Sequence, residues 1–282
     1  MQQRPDIDAG TPGSALFTRR RALVLLGGAG FGAVIAGCSS GNSDTAASTS
    51  AARSTTTTTA PTTTTAFPAS AALTTTSIIP EETAGPFPAD GSNGQNALTQ
   101  NGIVRADIRS SFGSATGVAA GVPFTIKLRV LDTSRGSVPL TGAAVYVWHC
   151  DRDGNYSMYS SAAQNENYLR GVQVVDADGT ATFTSIFPAC YSGRWPHVHF
   201  EVYPDLATAT AAGKKLATSQ LALPKDVCDT VYTTSGYSSS ASNLGQVTLA
   251  SDMVFSDGAA LETPSVTGSV AQGYVGSLAV GV

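Results

Sequence analysis

The chain has 282 residues and a formal net charge of −4, from 16 Lys and Arg against 20 Asp and Glu. Its only compact basic run is Arg19-Arg20-Arg21, so it lacks the electrostatic footprint of a nucleic-acid binder. Charged residues make up 13% and there are 29 glycines, a balance that favours an exported β-protein over a helical one.

The arginine run precedes an apolar stretch, residues 22–36. A bilayer span needs roughly 20 such residues, so this one reads as an export signal. Arg20-Arg21 followed by Ala-Leu-Val fits a twin-arginine pattern. The stretch ends in Ile35-Ala36-Gly37-Cys38, which resembles a bacterial lipobox. Cleavage there leaves Cys38 as a lipidated N-terminus that anchors the chain to the membrane; the alternative is a cut near Ala36 with Cys38 incidental. Residues 1–38 are thus assigned to the signal. Residues 39–77 are mostly Ser, Thr, Ala and Pro, including Thr55 through Thr59. Such sequence buries too little apolar surface to offset its ordering entropy and reads as a flexible tether. Residues 78–282 suit one domain.

Within that domain no long periodic helix is evident. Residues 124–130 (FTIKLRV) alternate apolar and polar, the period of a half-buried strand. Residues 143–150 (AAVYVWHC) are apolar on both faces and suit a central strand. Asp151-Arg152-Asp153-Gly154 marks a turn. Residues 171–175, the Asp176-Ala-Asp-Gly179 turn and residues 180–186 read as a hairpin. Residues 196–203 form another strand, residues 207–215 a short helix or irregular excursion, and residues 243–254 and 273–282 two late strands. Several short strands with frequent turns predict an all-β sandwich or barrel.

Cys150, Cys190 and Cys228 follow Cys38. An oxidising compartment favours one disulfide with a thiol left over, and Cys190 with Cys228 is the expected pair. The alternative is three small buried hydrophobes.

The chain has three histidines, and two stand together in Pro196-His197-Val198-His199-Phe200. On a strand, alternate residues share a face. His197, His199, Glu201 and Tyr203 therefore share one face, and Val198, Phe200 and Val202 form a core stripe on the other. Two imidazoles about 6.5–7 Å apart along the chain, from ~3.3 Å per residue, can both reach one metal ion. Many H-x-H pairs are only polar surface. His149 lies on a different strand and reads as a buried, hydrogen-bonded imidazole. A cupin-like site wants a glutamate shortly after the second histidine, where Tyr203 and Pro204 stand. The remaining hard ligands are carboxylates and phenols. Tyr156 and Tyr191 each follow a turn, and two phenolates with two imidazoles suit an oxidised ion such as Fe(III); as single residues, both read equally well as rim aromatics.

The order WHCDRDGNY, RGVQVVDADGTATFTSIFPACY, GRWPHVHF resembles the intradiol ring-cleavage dioxygenases, over about residues 82–220. Glu82-Thr-Ala-Gly-Pro-Phe87 is similar to a T-x-G-P-[YF] segment of that family. The resemblance implies an antiparallel β-sandwich with long loops. It implies Tyr156, Tyr191, His197 and His199 as ligands of non-haem Fe(III), with Tyr191 leaving the metal to act as a base. Arg194 matches the family's active-site arginine, and Gln220 resembles a glutamine near the substrate. The implied reaction is cleavage of a catechol-type diol by O2 to a cis,cis-muconate-type product, with both oxygen atoms incorporated and no organic cofactor. The long dimerisation helices of soluble members have no counterpart here.

Two other classes compete. An exported β-sandwich could bind carbohydrate or cell-wall polymer, stacking it on Trp148, Trp195 and Tyr203. A surface lipoprotein could keep the fold without turnover. Arg194 also has a plainer reading, as a surface guanidinium pairing with Glu201 or Asp205.

Overall fold

The structure is a computed structural model that describes residues 73–282. The signal, Cys38 and most of the tether lie outside the described residues. Where the description begins, Leu73 already touches the domain, its carbonyl accepting from Arg129 Nη1 at 2.5 Å. Ile79 N–H donates to Gly281 O at 2.9 Å.

The described residues form nine strands in chain order: β1 (Pro123–Asp132), β2 (Val138–Pro139), β3 (Ala144–Trp148), β4 (Arg170–Val174), β5 (Thr180–Ile186), β6 (His197–Tyr203), β7 (Ala217–Ala222), β8 (Ser265–Ser269) and β9 (Gly273–Gly281). Among the described residues three short α-helices interrupt them: α1 (Leu206–Thr210), α2 (Lys225–Val231) and α3 (Ser238–Leu244). None of the described helices is long and apolar enough to cross a membrane.

The strands form two sheets. One runs β4-β3-β6-β7 and is antiparallel throughout. In the other, β1 is flanked by β5 and β9, with β2 at its end and β8 outside β9. All its pairs are antiparallel except β1 with β9, which run parallel from Phe124 beside Tyr274 to Leu131 beside Gly281.

The inward faces make the core. Phe124, Ile126, Leu128 and Val130 of β1 and Phe183 of β5 join Val145 and Val147 of β3 and Val198, Phe200 and Val202 of β6, all nearly or fully buried. Fully burying one such side chain contributes about 1.5–3 kcal/mol, so this alternation holds the sandwich together. A second apolar cluster covers the other face of β3 and β6. It joins Tyr146, Trp148 and Tyr203 to Ala89, Leu98 and Ile103 from the N-terminal segment and to Tyr156. That covering explains why every residue of β3 is buried.

Two strand expectations fail. Residues 171–175 and 180–186 are not a hairpin. β4 pairs with β3 and β5 pairs with β1 over seven residues, so the tight Asp176–Gly179 turn passes the chain from one sheet to the other. Its geometry is that of a turn, with Asp176 Oδ1 accepting from Asp178 and Thr180 N–H at 2.9 and 2.8 Å. The alternation in β5 identifies one buried face and leaves its partner open, and the long match to β1 decides it. Residues 243–254 are not a strand either; they hold the end of α3 and a short 3-10 turn at Leu249–Ser251. Thr248 and Ser251 cap that turn reciprocally, a local arrangement that competes with extended pairing.

The expected disulfide is absent. Cys150, Cys190 and Cys228 are free and buried. Each thiol faces a backbone carbonyl instead: Ala189 O at 3.7 Å, Arg194 O at 3.5 Å and Leu223 O at 3.9 Å.

Candidate metal centre

Strand β6 splits its side chains as alternation requires. Val198, Phe200 and Val202 enter the inter-sheet core, while His197 and His199 sit on the opposite face, 2% and 3% exposed. Across that face, His199 lies level with Trp148 of β3 and Gln220 of β7. Trp148 stacks on the His199 ring, with centroids 4.8 Å apart and planes 5° from parallel.

Two turns bring tyrosines to this face. In Asp151–Tyr156, Asp151 Oδ1 accepts from Asp153 and Asn155 N–H at 2.9 and 2.8 Å, which curls the chain and aims Tyr156 inward. Gly154 sits at φ +87°, and a Cβ there would stand 3.3 Å from Tyr191 Cβ, so its bare backbone lets the second tyrosine turn pack close. That turn follows Cys190 and is closed by Arg194 N–H donating to Tyr191 O at 3.3 Å.

The four side chains converge. Tyr156 Oη is 3.4 Å from Tyr191 Oη, and each is 3.2 Å from His197 Nε2. The His197 and His199 ring centroids are 4.8 Å apart. His197 Nδ1 is 2.5 Å from Trp195 O. A carbonyl only accepts, so Nδ1 carries the proton and Nε2 turns its lone pair to the two phenols. Burial, aided by Arg194, lowers His197 to about 3. Burial, with His197 and Arg194 nearby, holds His199 well below the ordinary imidazole range. Both rings are therefore neutral donors at pH 7. Burial lifts Tyr191 to about 12 and Tyr156 well above its usual value, while Arg194 pulls both back down.

This cluster fits a cation. Two neutral imidazoles and two desolvated phenols meet with no cationic side chain among them, and His199 Nδ1 is buried without a partner. A positive ion would relieve the desolvation that keeps the phenols protonated. Among the described residues no group of three or more His, Cys, Asp or Glu is placed to hold a metal. Four-fold protein coordination here thus has to draw on the tyrosines, as hard donors suited to an oxidised ion.

Arg194 borders the cluster, its side chain 12% exposed. Nε donates to Asp252 Oδ2 at 2.9 Å and Nη2 to Gln220 Oε1 at 2.7 Å. Its partner is thus neither Glu201 nor Asp205. Glu201 is bound by Lys215 at 2.5 Å and by Tyr203 Oη at 2.6 Å, and Asp205 caps α1 through Thr208 N–H at 2.7 Å. Gln220, fully buried, also donates to Thr83 O at 2.9 Å. This draws in the N-terminal segment, where Gly85 at φ +67° faces the His199 ring; a Cβ would lie 3.3 Å from Cε1. Phe87 packs on Tyr156 with centroids 4.8 Å apart.

His149 lies outside this group. It is buried and satisfied, with Nδ1 2.8 Å from Cys150 O and Nε2 2.7 Å from Ser185 Oγ. Trp148, Trp195 and Tyr203 are 0%, 4% and 0% exposed, so none can serve as an open stacking platform. Asp252 has no counterpart in the sequence reading. The signal available was Ser251-Asp252 before three apolar residues, a helix-start pattern at the end of the stretch read as a strand.

A family model described as dioxygenase matches residues 104–202. A chlorocatechol 1,2-dioxygenase of Rhodococcus opacus is 47% identical over 62 residues, which are 22% of this chain and 23% of that protein. The aligned stretch thus spans under a quarter of that relative. An intradiol ring-cleavage dioxygenase structure from Tetranychus urticae superposes with TM-score 0.55 at 23% identity, covering 73% of this chain and 94% of its own. A further dioxygenase structure gives 0.57 at 22% identity, with 73% and 93% covered. At such identities the structural likeness speaks to the fold.

Proposed function

We propose that this chain, which belongs to the intradiol ring-cleavage dioxygenase family, cleaves a catechol-type diol with O2 to a cis,cis-muconate-type dicarboxylic acid. The observation that carries the proposal is the meeting of the Tyr156 and Tyr191 hydroxyls with His197 Nε2 at 3.2–3.4 Å on a buried face. Tyr156, Tyr191, His197 and His199 would hold non-haem Fe(III). When bound, that ion supplies the Lewis acidity and the electron-accepting capacity that let a catecholate react with O2.

The protein's own groups do the rest. A diol that binds through both oxygens gives up two protons, and Tyr191 Oη is suited to take one. Of the two phenols it is the less buried; it would be ionised while the cation is held, and because burial raises its pKa, to about 12 in the free protein, its phenolate would readily regain a proton on leaving the ion. Tyr156, 2% exposed and wedged against Phe87, would stay in place. Arg194, fixed by Gln220 and Asp252, would stabilise negative charge developing on the activated ring, a preorganised electrostatic role. The Trp148 stack and the N-terminal segment around Gly85 keep water from the His199 side. Both atoms of O2 enter the product, so catechol and O2 balance muconic acid with no external reductant.

The twin-arginine pattern and Cys38 support export and a lipid anchor. Incorporation of labelled palmitate that is lost in Cys38→Ser checks this. For the reaction, an oxygen electrode with a panel of substituted catechols is the test. Uptake with the ultraviolet spectrum of a muconate is expected. No uptake from any catechol by iron-loaded protein, or a yellow extradiol product, contradicts the proposal.

A further inference from the structure

We infer that Asp252 is a positioning residue for this reaction: it seats the Arg194 guanidinium over the site. The inference rests on the function proposed above. Asp252 is fully buried, and both its oxygens are engaged. Oδ2 accepts from Arg194 Nε at 2.9 Å and from Trp195 N–H at 2.6 Å. Oδ1 accepts from Val254 and Phe255 N–H at 2.8 and 3.2 Å. Burial works against the charged form, but the Trp195 N–H and Arg194 outweigh it, and the carboxyl is held below its ordinary value.

The same segment supplies a second surface for the cation, since the Phe255 ring lies 5.9 Å from Arg194 Cζ. Arg194 is therefore held on three sides: by a carboxylate at Nε, by an amide oxygen at Nη2 and by an aromatic face. Gln220 continues the chain to Thr83 O, so residues 83, 220, 194 and 252 form one connected line. A guanidinium on a long flexible stem loses rotamer entropy when fixed. Asp252 brings that loss forward into folding, so Arg194 need not be ordered during turnover. Asp252 is 58 residues distant from Arg194 in sequence and lies outside the residues matched by the family model.

The test is a double-mutant cycle in the full protein, with Asp252→Asn, Arg194→Met and the pair. Asn keeps the shape and an oxygen for Trp195 N–H but removes the charge. Expected for Asp252→Asn are unchanged iron stoichiometry and visible band, KM within about twofold, and kcat lower by about 100-fold, the scale for a misplaced catalytic group. In the Arg194→Met background the same change should cost little further, because interacting residues are not additive. Equal loss in both backgrounds, or parental kcat in Asp252→Asn, overturns the inference. If Asp252→Asn is not recovered folded, the cycle is run with Asp252→Glu, whose longer arm displaces the guanidinium, under the same criterion. A parent protein that turns over while Asp252→Asn matches it sinks only this inference; a parent that takes up no oxygen sinks the proposed function with it.

Discussion

The two faces of β6 carry opposite burdens. Val198, Phe200 and Val202 face the other sheet in a dry core. His197 and His199 face a cluster of phenols, as buried as the core yet built from groups that burial penalises. One face gains free energy on folding and the other costs it. A strand whose two sides differ in this way is expected where stability from one side sustains chemistry on the other.

The sharpest way to break that comparison is at Tyr156. Tyr156→Phe removes one oxygen from the site face, and turnover should fall by 1,000-fold or more, about 4 kcal/mol. Unfolding of the iron-free protein should change by less than about 1 kcal/mol, because the lost hydroxyl has only the 3.2 and 3.4 Å contacts. Steady-state kinetics and urea melts read the two quantities. Phe200→Ala on the opposite face should invert the result, with about 3–4 kcal/mol of stability lost and kcat within about threefold of the parent at temperatures where the variant stays folded. Loss of stability in the first variant, or of chemistry alone in the second, would dissolve the distinction.

His149 sharpens the comparison further, as a buried histidine without the site. Burial holds its pKa at about 4, against about 6.5 when unfolded. Between those values the unfolded chain takes up a proton that the folded chain refuses. Stability is therefore full above pH 6.5 and declines as pH falls toward 4, by about 3 kcal/mol from this group. Urea melts of iron-free parent and His149→Gln at pH 7 and pH 4 should differ in slope by about that amount, the variant declining less. An identical pH slope in the two would show that His149 takes up its proton as readily in the fold as in the unfolded chain. The smallest effect is expected at the exposed Lys225–Asp229 pair, 2.8 Å apart on α2. There Lys225→Ala should cost about 0.3–0.5 kcal/mol, and a melt shifted by 2 kcal/mol would mean that the helix is coupled to one of the two faces.

Much of this was legible in the sequence, for local reasons. Alternation in residues 124–130 and 197–203 marks strands because a half-buried strand has a period of two. The H-x-H spacing marks a shared face for the same reason, and Asp151–Gly154 marks the turn that presents Tyr156. What was not legible depends on approach across the fold. The turn at 176–179 looks the same whether it closes a hairpin or crosses between sheets; only the partner of β5 decides. Asp252 meets Arg194 through a segment with no regular period, so no local pattern could pair them. The cysteines met carbonyls instead of one another, which composition and compartment alone could not foresee.

The central claim is that two phenols and two imidazoles on one buried face of β6 bind a single ferric ion. Spectrophotometric titration of the metal-free protein with Fe(III) tests it most directly. One equivalent should bring up a broad visible band from phenolate-to-metal charge transfer, weakened in Tyr156→Phe and in Tyr191→Phe alike. A colourless protein at saturation, or a band that neither substitution alters, would contradict the claim.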